Sequence, residues 1–178
     1  MKITLIYPAY TEIYGNYRPA ARIGVLYPPL GLSYLAATLE REGHSVEIID
    51  MEAELIGKEQ LEKRIKETKP DIVGITSTTP IHHKADEIFH LIKSIDKKII
   101  TMTGGPHPTS LPAKTLEENQ DIDIVVVGEG EKTIIELAKN IEKSEDISAV
   151  DGIAYRKEAE IKITKQREMI HDLDWLPF

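Results

Sequence analysis

The sequence predicts an α/β fold: a flavodoxin-like, doubly wound parallel sheet of five strands in the order 2-1-3-4-5, followed by a small carboxyl-terminal β-hairpin. Two observations predict it. Five short apolar runs alternate with segments of helical length and spacing, as in consecutive β-α-β units. The runs are continuously apolar, which is typical of strands buried on both faces. Right-handed crossovers then leave few topologies.

Each predicted strand is a short apolar run bounded by polar or helix-ending residues. Ligands of open α/β sheets bind beyond the carboxyl ends of the strands, so the residues after each run are the informative ones. In chain order the runs are ITLIY (3–7), SVEIID (45–50), DIVGITS (71–77), KKIITMT (97–103) and IDIVVVG (122–128).

The segments between the strands have helical periodicity. Gly43 is expected to end the first predicted helix, as glycine commonly does, and Pro70 to end the second. Thr109 or Ser110 is the predicted N-cap of the fourth. The five segments are PLGLSYLAATLEREGH (29–44), KEQLEKRIKETK (58–69), IHHKADEIFHLIKSI (81–95), SLPAKTLEENQ (110–120) and EKTIIELAKNIEK (131–143).

The character of the sequence changes after Glu145. GIAYR and EIKIT alternate around KEAE and predict a hairpin. The tail HDLDWLPF holds the single tryptophan and has no helical period. We therefore expect a Rossmann-like domain at 1–145, with 146–178 forming a hairpin and a linker toward a domain that this sequence does not include.

Composition excludes several classes of function. A net charge of -8 argues against nucleic-acid binding, which needs a basic face. The absence of cysteine excludes disulfides, thiolate zinc sites and cysteine-bound iron–sulfur clusters within this chain. The amino-terminal apolar run is too short for a signal peptide, and no run approaches the roughly 20 residues of a membrane span. We expect a cytoplasmic location, no membrane partner and no metal ligand.

Three neighbouring strands are followed by small, hydroxyl-bearing or glycine-rich residues, and the first strand by a long loop (8–31) of the kind that is often functional. Small residues let a bulky ligand approach the backbone. Glutamates at the mouth of the last helix suit hydroxyl and amide donors better than phosphate. The turns predict a site for a large, largely neutral ligand, formed by Ser77, Thr78, Thr79, Gly104, Gly105, Pro106, His107, Thr109, Gly128, Glu129, Gly130 and Glu131.

Four segments taken together resemble one known family. They are YPPLGLSYLAATLEREGHSVEIID, PDIVGITSTTP, GGPHPTSLP and DIVVVGEGE. The chain resembles the amino-terminal cobalamin-binding domain of cobalamin-dependent radical S-adenosylmethionine (SAM) enzymes, a group that includes the anaerobic magnesium-protoporphyrin monomethyl ester cyclase and several radical methyltransferases. The resemblance implies a cobalamin on the carboxyl edge of the sheet, with its dimethylbenzimidazole tail over Gly104 and Gly105. Ser77 and its neighbours would contact the tail or the ring amides, and residues 128–131 would flank the nucleotide end.

Two departures from better-known corrinoid proteins qualify what the resemblance implies. The loop after the first strand lacks the Asp-x-His-x-x-Gly motif whose histidine ligates cobalt, so base-off cobalamin without that ligand is implied. The four-iron, four-sulfur cluster and S-adenosylmethionine of the family would belong only to an absent carboxyl-terminal radical SAM domain of the same full-length chain. We expect the full-length protein to be an oxidoreductase or methyltransferase, and this cysteine-free chain alone not to be catalytic.

Plainer interpretations stand beside several of these motifs. His107 is more simply a turn residue than a cobalt ligand, and His82 and His83 are expected on the surface. The hydroxyls at 77–79 suit an N-cap as well as a ligand contact. GEGE at 128–131 suits a tight turn.

Other protein classes fit the sequence less well. A receiver domain needs an aspartate at position 77, where this chain has serine. A flavodoxin needs a hydroxyl-rich loop after the first strand. A dinucleotide-binding domain needs Gly-x-Gly-x-x-Gly, and the only near match here has Thr133 in place of the third glycine. The main alternative is the nucleotide-sugar or other small-ligand binding half of a two-domain transferase. An interaction domain without a ligand is a third possibility.

Overall fold

The computed structural model describes residues 1–22, 27–158 and 160–177. Part of the predicted loop after the first strand (23–26), Ala159 of the predicted hairpin turn and Phe178 of the tail lie outside the described residues. No helix within the described ranges is both long enough and apolar enough to cross a membrane.

One sheet runs through the molecule in the order β2-β1-β3-β4-β5-β6-β7. The first five strands are parallel and have the predicted order, which confirms the predicted fold class. The predicted hairpin also forms, but it extends the sheet to seven strands because β6 pairs antiparallel with β5. This pairing covers an edge of β5 that would otherwise be open. The strands are β1 (Lys2–Tyr7), β2 (Ser45–Asp50), β3 (Ile72–Thr76), β4 (Ile100–Gly104), β5 (Ile124–Val126), β6 (Ile153–Lys157) and β7 (Glu160–Ile163).

Helices cover both faces of the sheet and enclose two apolar clusters. Residues of α3 and α4 pack on one face, with a contribution from α6, and residues of α2 and α7 pack on the other. The helices are α1 (Arg18–Arg22), α2 (Leu30–Arg41), α3 (Lys58–Thr68), α4 (His82–Ile95), α5 (Pro106–Ser110), α6 (Pro112–Glu118) and α7 (Glu131–Glu142).

The fourth predicted helix (110–120) forms as the short helix α6, and a further short helix that was not predicted, α5, precedes it. Its predicted N-cap is wrong, because Thr109 and Ser110 lie inside α5 and the Ser110 hydroxyl donates to the carbonyl of Pro106 at 2.8 Å. Pro106 begins α5 directly after Gly105, and a proline at the first helical position has the backbone angle a helix needs. A helix therefore begins two residues after the last residue of β4.

Strand alternation decides which residues face the α2–α7 layer. Ile72 belongs to the cluster under α2 and α7, whereas Val73 and Ile75 belong to the cluster under α3 and α4. Gly74 and Thr76 therefore share the face of Ile72. On this face β3 and β4 end in the small residues Thr76 and Gly104, and this is where the site forms.

The segment after β7 packs back onto the α2–α7 layer. The carbonyl of Lys165 accepts from the Gly152 amide at 2.8 Å, and the Arg167 guanidinium makes two bonds of 3.0 and 2.5 Å to the Glu136 carboxylate. Further on, the Arg41 guanidinium lies 4.4 Å from the centre of the Trp175 ring. The assignment of 146–178 as a passage to another domain stays a prediction.

Candidate functional site

A cavity of about 490 Å³ opens at the carboxyl edge of the sheet, between the strands and the amino-terminal ends of α2 and α7. This is the edge at which open α/β sheets bind their ligands, and the volume is in the range of small-molecule sites. Its lining is mostly apolar. The lining residues are Leu5, Tyr7, Tyr10, Tyr27, Pro28, Pro29, Leu30, Gly31, Leu32, Leu35, Gly74, Ile75, Thr76, Met102, Thr103, Gly104, Gly105, Val126, Gly128, Glu129, Gly130, Glu131 and Ile134.

The floor of the cavity is a row of paired strand residues. Leu5 of β1 pairs with Gly74 of β3, and Gly74 pairs with Met102 of β4. A Cβ on Gly74 would come within 2.9 Å of the Leu5 Cδ2 atom, so the glycine lets Leu5 lie across the floor. One row nearer the edge, Thr76 pairs with Gly104. The floor is therefore low and apolar.

The two adjacent glycines after β4 have different roles. A Cβ on Gly104 would meet only Val126, at 3.7 Å or more, so the position is open to the cavity. Gly105 has φ of +103°, and a Cβ there would lie 2.8 Å from the Ser77 carbonyl oxygen and 2.9 Å from the Thr76 Oγ1 atom. Gly105 is thus required by the backbone turn and its packing, whereas Gly104 leaves space in the cavity.

Apolar and aromatic residues form the walls. Leu35, from the second turn of α2, and Ile134, from α7, face each other above the floor. Tyr7 and Tyr10 also line the cavity, with ring centres 5.6 Å apart. Burial raises the pKa of the Tyr7 phenol, and the negative charge of Asp50 adds to the shift. Tyr7 is therefore a neutral hydroxyl at neutral pH.

The mouth beside α7 is acidic. Glu129 and Glu131 line it, and no lysine or arginine does so among the described residues. The Glu129 Oε2 atom accepts from the Ile170 amide at 2.7 Å. The Oε2 atom of Glu131 is buried and makes no hydrogen bond with the described residues. A buried carboxylate oxygen of this kind suits an N–H or O–H donor on a ligand.

The predicted site residues fall into two groups. Six of them line the cavity: Gly104, Gly105, Gly128, Glu129, Gly130 and Glu131. The other six lie along the same edge of the sheet but do not line it: Ser77, Thr78, Thr79, Pro106, His107 and Thr109.

A hydrogen-bonded cluster joins several residues of the second group. Ser77 is buried and its Oγ atom lies 3.0 Å from the His82 Nδ1 atom. The His107 Nδ1 atom lies 3.1 Å from the Thr79 Oγ1 atom. The rings of His82 and His107 stack with centres 3.9 Å apart. The cluster therefore fastens α5 to the turn after β3.

One sequence prediction about this cluster is wrong. His82 was expected on the surface but is 9% exposed, because α5 folds over the first turn of α4. Burial lowers the pKa of His82, and the nearby His107 lowers it further, while Asp86 opposes the shift. His83 is exposed, as predicted. The Thr78 side chain makes no capping hydrogen bond.

Thr109 links two of the predicted loops. Its Oγ1 atom accepts from the Gly128 amide at 3.1 Å and so ties α5 to the turn after β5. Gly128 has φ of +81°, which favours glycine in that turn. No group of three or more histidine, cysteine, aspartate or glutamate residues able to hold a metal ion occurs in the described ranges.

Sequence reasoning missed the floor of the cavity and its aliphatic walls. Gly74 carried a readable signal, since glycine inside a buried strand often marks a close approach of ligand or backbone. Leu5, Met102 and Ile134 carried none, because an apolar side chain that lines a cavity has the same sequence pattern as one in the core.

The comparisons with known proteins agree with one another. A model of the B12-binding domain family matches residues 19–138. An uncharacterized methyltransferase of Pyrococcus horikoshii is 38% identical over 155 residues, covering 87% of this chain and 34% of that protein. The anaerobic magnesium-protoporphyrin IX monomethyl ester cyclase of Rubrivivax gelatinosus is 32% identical over 183 residues, covering 98% of this chain and 31% of that protein. The chain thus spans about a third of the length of these relatives.

Solved structures of radical S-adenosylmethionine enzymes with cobalamin bound also match this chain. The cobalamin-dependent S-adenosylmethionine radical enzyme OxsB, with aqua-cobalamin and S-adenosylmethionine bound, matches with a TM-score of 0.79 and 26% identity. The match covers 94% of this chain and 22% of that one. The radical S-adenosylmethionine methyltransferase TsrM of Kitasatospora setae, with cobalamin and a [4Fe-4S] cluster bound, matches with a TM-score of 0.75 and 24% identity, covering 92% and 30%. The second match shows the fold alone.

Proposed function

This chain belongs to the B12-binding domain family and is a cobalamin-binding domain, and from that premise we propose that it holds cobalamin base-off as the amino-terminal domain of a radical SAM oxidoreductase or methyltransferase. The observation that carries the proposal is the apolar cavity of about 490 Å³ at the carboxyl edge of the sheet, with Gly104 open to it. A flat benzimidazole fits a slot between a low strand surface and two helix ends. Bound cobalamin would supply organometallic or electron-transfer chemistry, and the protein would supply binding and orientation.

The chemistry of the cavity fits a largely neutral ligand. Cobalamin carries several neutral amides around its ring and a single phosphodiester in its tail. Glu129 and Glu131 can accept hydrogen bonds from amide or ribose donors. The described lining residues include no cationic side chain that could bind a diphosphate. The same absence weighs against a nucleotide-sugar, whose two phosphates would face two carboxylates.

We assign the predicted site residues to different parts of the ligand. Gly104 and Gly105 would lie beside the benzimidazole, and residues 128–131 would flank the nucleotide end. Thr78, Thr79, Pro106 and His107 lie along the same edge of the sheet outside the cavity, on the side where the ring amides would lie, and Thr79 and His107 are bonded to each other. Ser77 and Thr109 would act by holding these turns in place, since their hydroxyls bond to His82 and to the Gly128 amide.

The base-off proposal rests on the loop after β1. That loop (8–31) contains no histidine, so it offers cobalt no imidazole ligand. His107 is engaged with Thr79 and His82. With the benzimidazole held in the cavity, neither nitrogen ligand would reach cobalt from below. Electron paramagnetic resonance of the bound cob(II)alamin tests this, because an axial nitrogen splits the cobalt lines and its absence leaves them unsplit. Nitrogen-split lines would overturn the base-off proposal.

The domain arrangement is proposed from coverage and composition. The chain spans about a third of its curated relatives and has no cysteine for an iron–sulfur cluster. The cluster and S-adenosylmethionine would therefore be bound by a further domain of the full-length protein.

The experiment for cobalamin binding is direct. Purified protein is mixed with hydroxocobalamin, passed through a desalting column and read by visible absorbance. We expect co-elution with a shifted spectrum, and no stabilisation by nucleotide-sugars in a parallel melting assay. A colourless eluate, with melting raised by a nucleotide-sugar, would support the transferase alternative instead.

A further inference from the structure

We propose that the cavity selects among corrinoids by their lower base, and that it favours dimethylbenzimidazole over a purine such as adenine. This inference rests on the proposed function and deepens it. Its basis is the separation of the cavity into an apolar inner part and a polar mouth.

Among the residues that the structure describes, the inner part offers no hydrogen-bonding side chain free for a ligand. Its floor row consists of Leu5, Gly74 and Met102, whose backbone groups are paired in the parallel ladder. Above the floor stand Leu35 and Ile134. All five are glycine or apolar residues.

The hydroxyl of Thr103, which follows the floor residue Met102, is already used. The Thr103 Oγ1 atom donates to the Ile75 carbonyl at 3.0 Å, and Thr103 is 1% exposed. A ligand atom that entered the inner part would therefore meet carbon and the Met102 sulfur. Any polar atom placed there would lose its water without gaining a partner.

Polar side chains gather at the mouth instead. Thr76 lines the cavity one pair nearer the strand ends than Gly74. Glu129 and Glu131 lie at the amino-terminal end of α7, and the buried oxygen of Glu131 has no described partner. A nucleotide whose ribose lies at the mouth and whose base points inward matches this division.

The two lower bases differ in what they bring to the inner part. Dimethylbenzimidazole presents a hydrocarbon edge with two methyl groups. Adenine presents an exocyclic amino group and ring nitrogens that would be left unpaired. Leaving a buried polar group unpaired, together with the lost methyl contacts, weakens binding by about 10- to 100-fold.

The test compares three corrinoids by absorbance titration of the purified protein: cobalamin, the cobamide with adenine as lower base, and cobinamide, which lacks the nucleotide. We expect cobalamin to bind about 10- to 100-fold more tightly than the adenine cobamide, and cobinamide to bind more weakly than cobalamin. Equal affinity for the two cobamides, or for cobinamide and cobalamin, would overturn the selectivity and leave cobalamin binding intact. Failure to bind cobalamin at all would overturn both proposals.

A matched pair of variants places the selectivity in the inner part. Leu35 is half-buried, so Leu35→Gln adds an amide at the wall with little risk to the core. It is expected to reduce the preference for cobalamin, whereas Leu35→Met, of similar size and apolar, is expected to retain it. Both variants are checked for wild-type circular dichroism. Met102→Gln makes the same kind of change on the floor. If folded Leu35→Gln and Met102→Gln proteins both kept the wild-type preference for cobalamin over the adenine cobamide, the selectivity would lie elsewhere and the inference would be contradicted.

Discussion

Replacing Gly104 with valine is expected to weaken cobalamin binding while leaving the fold intact. Gly104 ends β4 on the face of the α2–α7 layer, and a Cβ there would lie 3.7 Å from the Val126 carbonyl oxygen, an ordinary contact. Its φ lies outside the left-handed region, and valine is well suited to a strand. The isopropyl group would therefore project into the cavity without disturbing the sheet.

The size of the effect follows from what the isopropyl group displaces. Full burial of an apolar group the size of a phenylalanine side chain is worth about 1.5–3 kcal/mol. A benzimidazole is of similar size, and each 1.4 kcal/mol is about tenfold in affinity. Excluding the base from the slot beside Gly104 is then expected to weaken binding by about 10- to 150-fold.

The assay is an absorbance titration with hydroxocobalamin, together with thermal unfolding of each protein. Gly57→Val is the matched control, because it makes the same change next to α3, on the other face of the sheet. A Cβ on Gly57 would approach only the flexible Gln60 side chain, at 3.1 Å. The control is expected to bind as wild type does. A Gly104→Val protein with wild-type melting and undiminished affinity would refute the placement of the base beside β4.

Three further predictions concern the residues around the site. Gly105→Ala is expected to lower the melting temperature by at least about 4 °C. The left-handed backbone, with a Cβ 2.8 Å from the Ser77 carbonyl oxygen, costs about 2 kcal/mol of folding free energy. An unchanged melting curve would contradict the role given to this turn. Burial holds the pKa of His82 below its ordinary value, so the unfolded chain takes up the proton first and stability falls as the pH drops below about 6.5. His82→Phe should flatten that fall in denaturant titrations over the same pH range, and an equally steep fall would argue against it. Arg41→Ala should red-shift the emission of Trp175, the single tryptophan, by freeing it from the guanidinium 4.4 Å away, and an unshifted spectrum would show that the tail packs without this contact.

The strand order and the edge of the sheet at which the cavity lies were predictable from sequence because both depend on local patterns. Continuous apolar runs mark buried parallel strands, and the residues after them reach the ligand-binding edge by topology alone. Gly104 and Gly130 were found in this way, and both line the cavity. The hairpin was predictable too, because it also depends on a local pattern. Its pairing with β5 was not, because the contact of Val125 with Ala154 depends on the free edge that the other strands leave.

Contacts between elements distant in sequence were not predictable. The burial of His82 depends on α5 folding over it, and nothing in the residues around position 82 encodes that contact. The different roles of Gly104 and Gly105 were equally hidden, since they follow from the approach of the turn after β3 to one glycine and not to its neighbour. The sequence marks both positions as glycine, and only the packing separates a turn residue from a cavity residue.

The amino-terminal end of α7 bears on the proposed preference of the site for a largely neutral ligand. A helix N-terminus ordinarily attracts phosphate through its free N–H groups and its dipole. Here Glu131 occupies the first turn and Glu129 lies just before it, so carboxylates of the chain itself already meet that positive end. A nucleotide-sugar with a phosphate within 4 Å of one carboxylate would meet a repulsion of roughly 1 to 4 kcal/mol, depending on the local dielectric constant, whereas the ribose hydroxyls of the cobalamin nucleotide would not. The Ile170 amide donates a hydrogen bond to Glu129 and holds it in place. Glu131 retains a buried oxygen that can accept a hydrogen bond from a ligand. In the proposed complex, the kind of helix end that binds anions in many nucleotide sites would instead accept hydrogen bonds from hydroxyl and amide groups of the corrinoid.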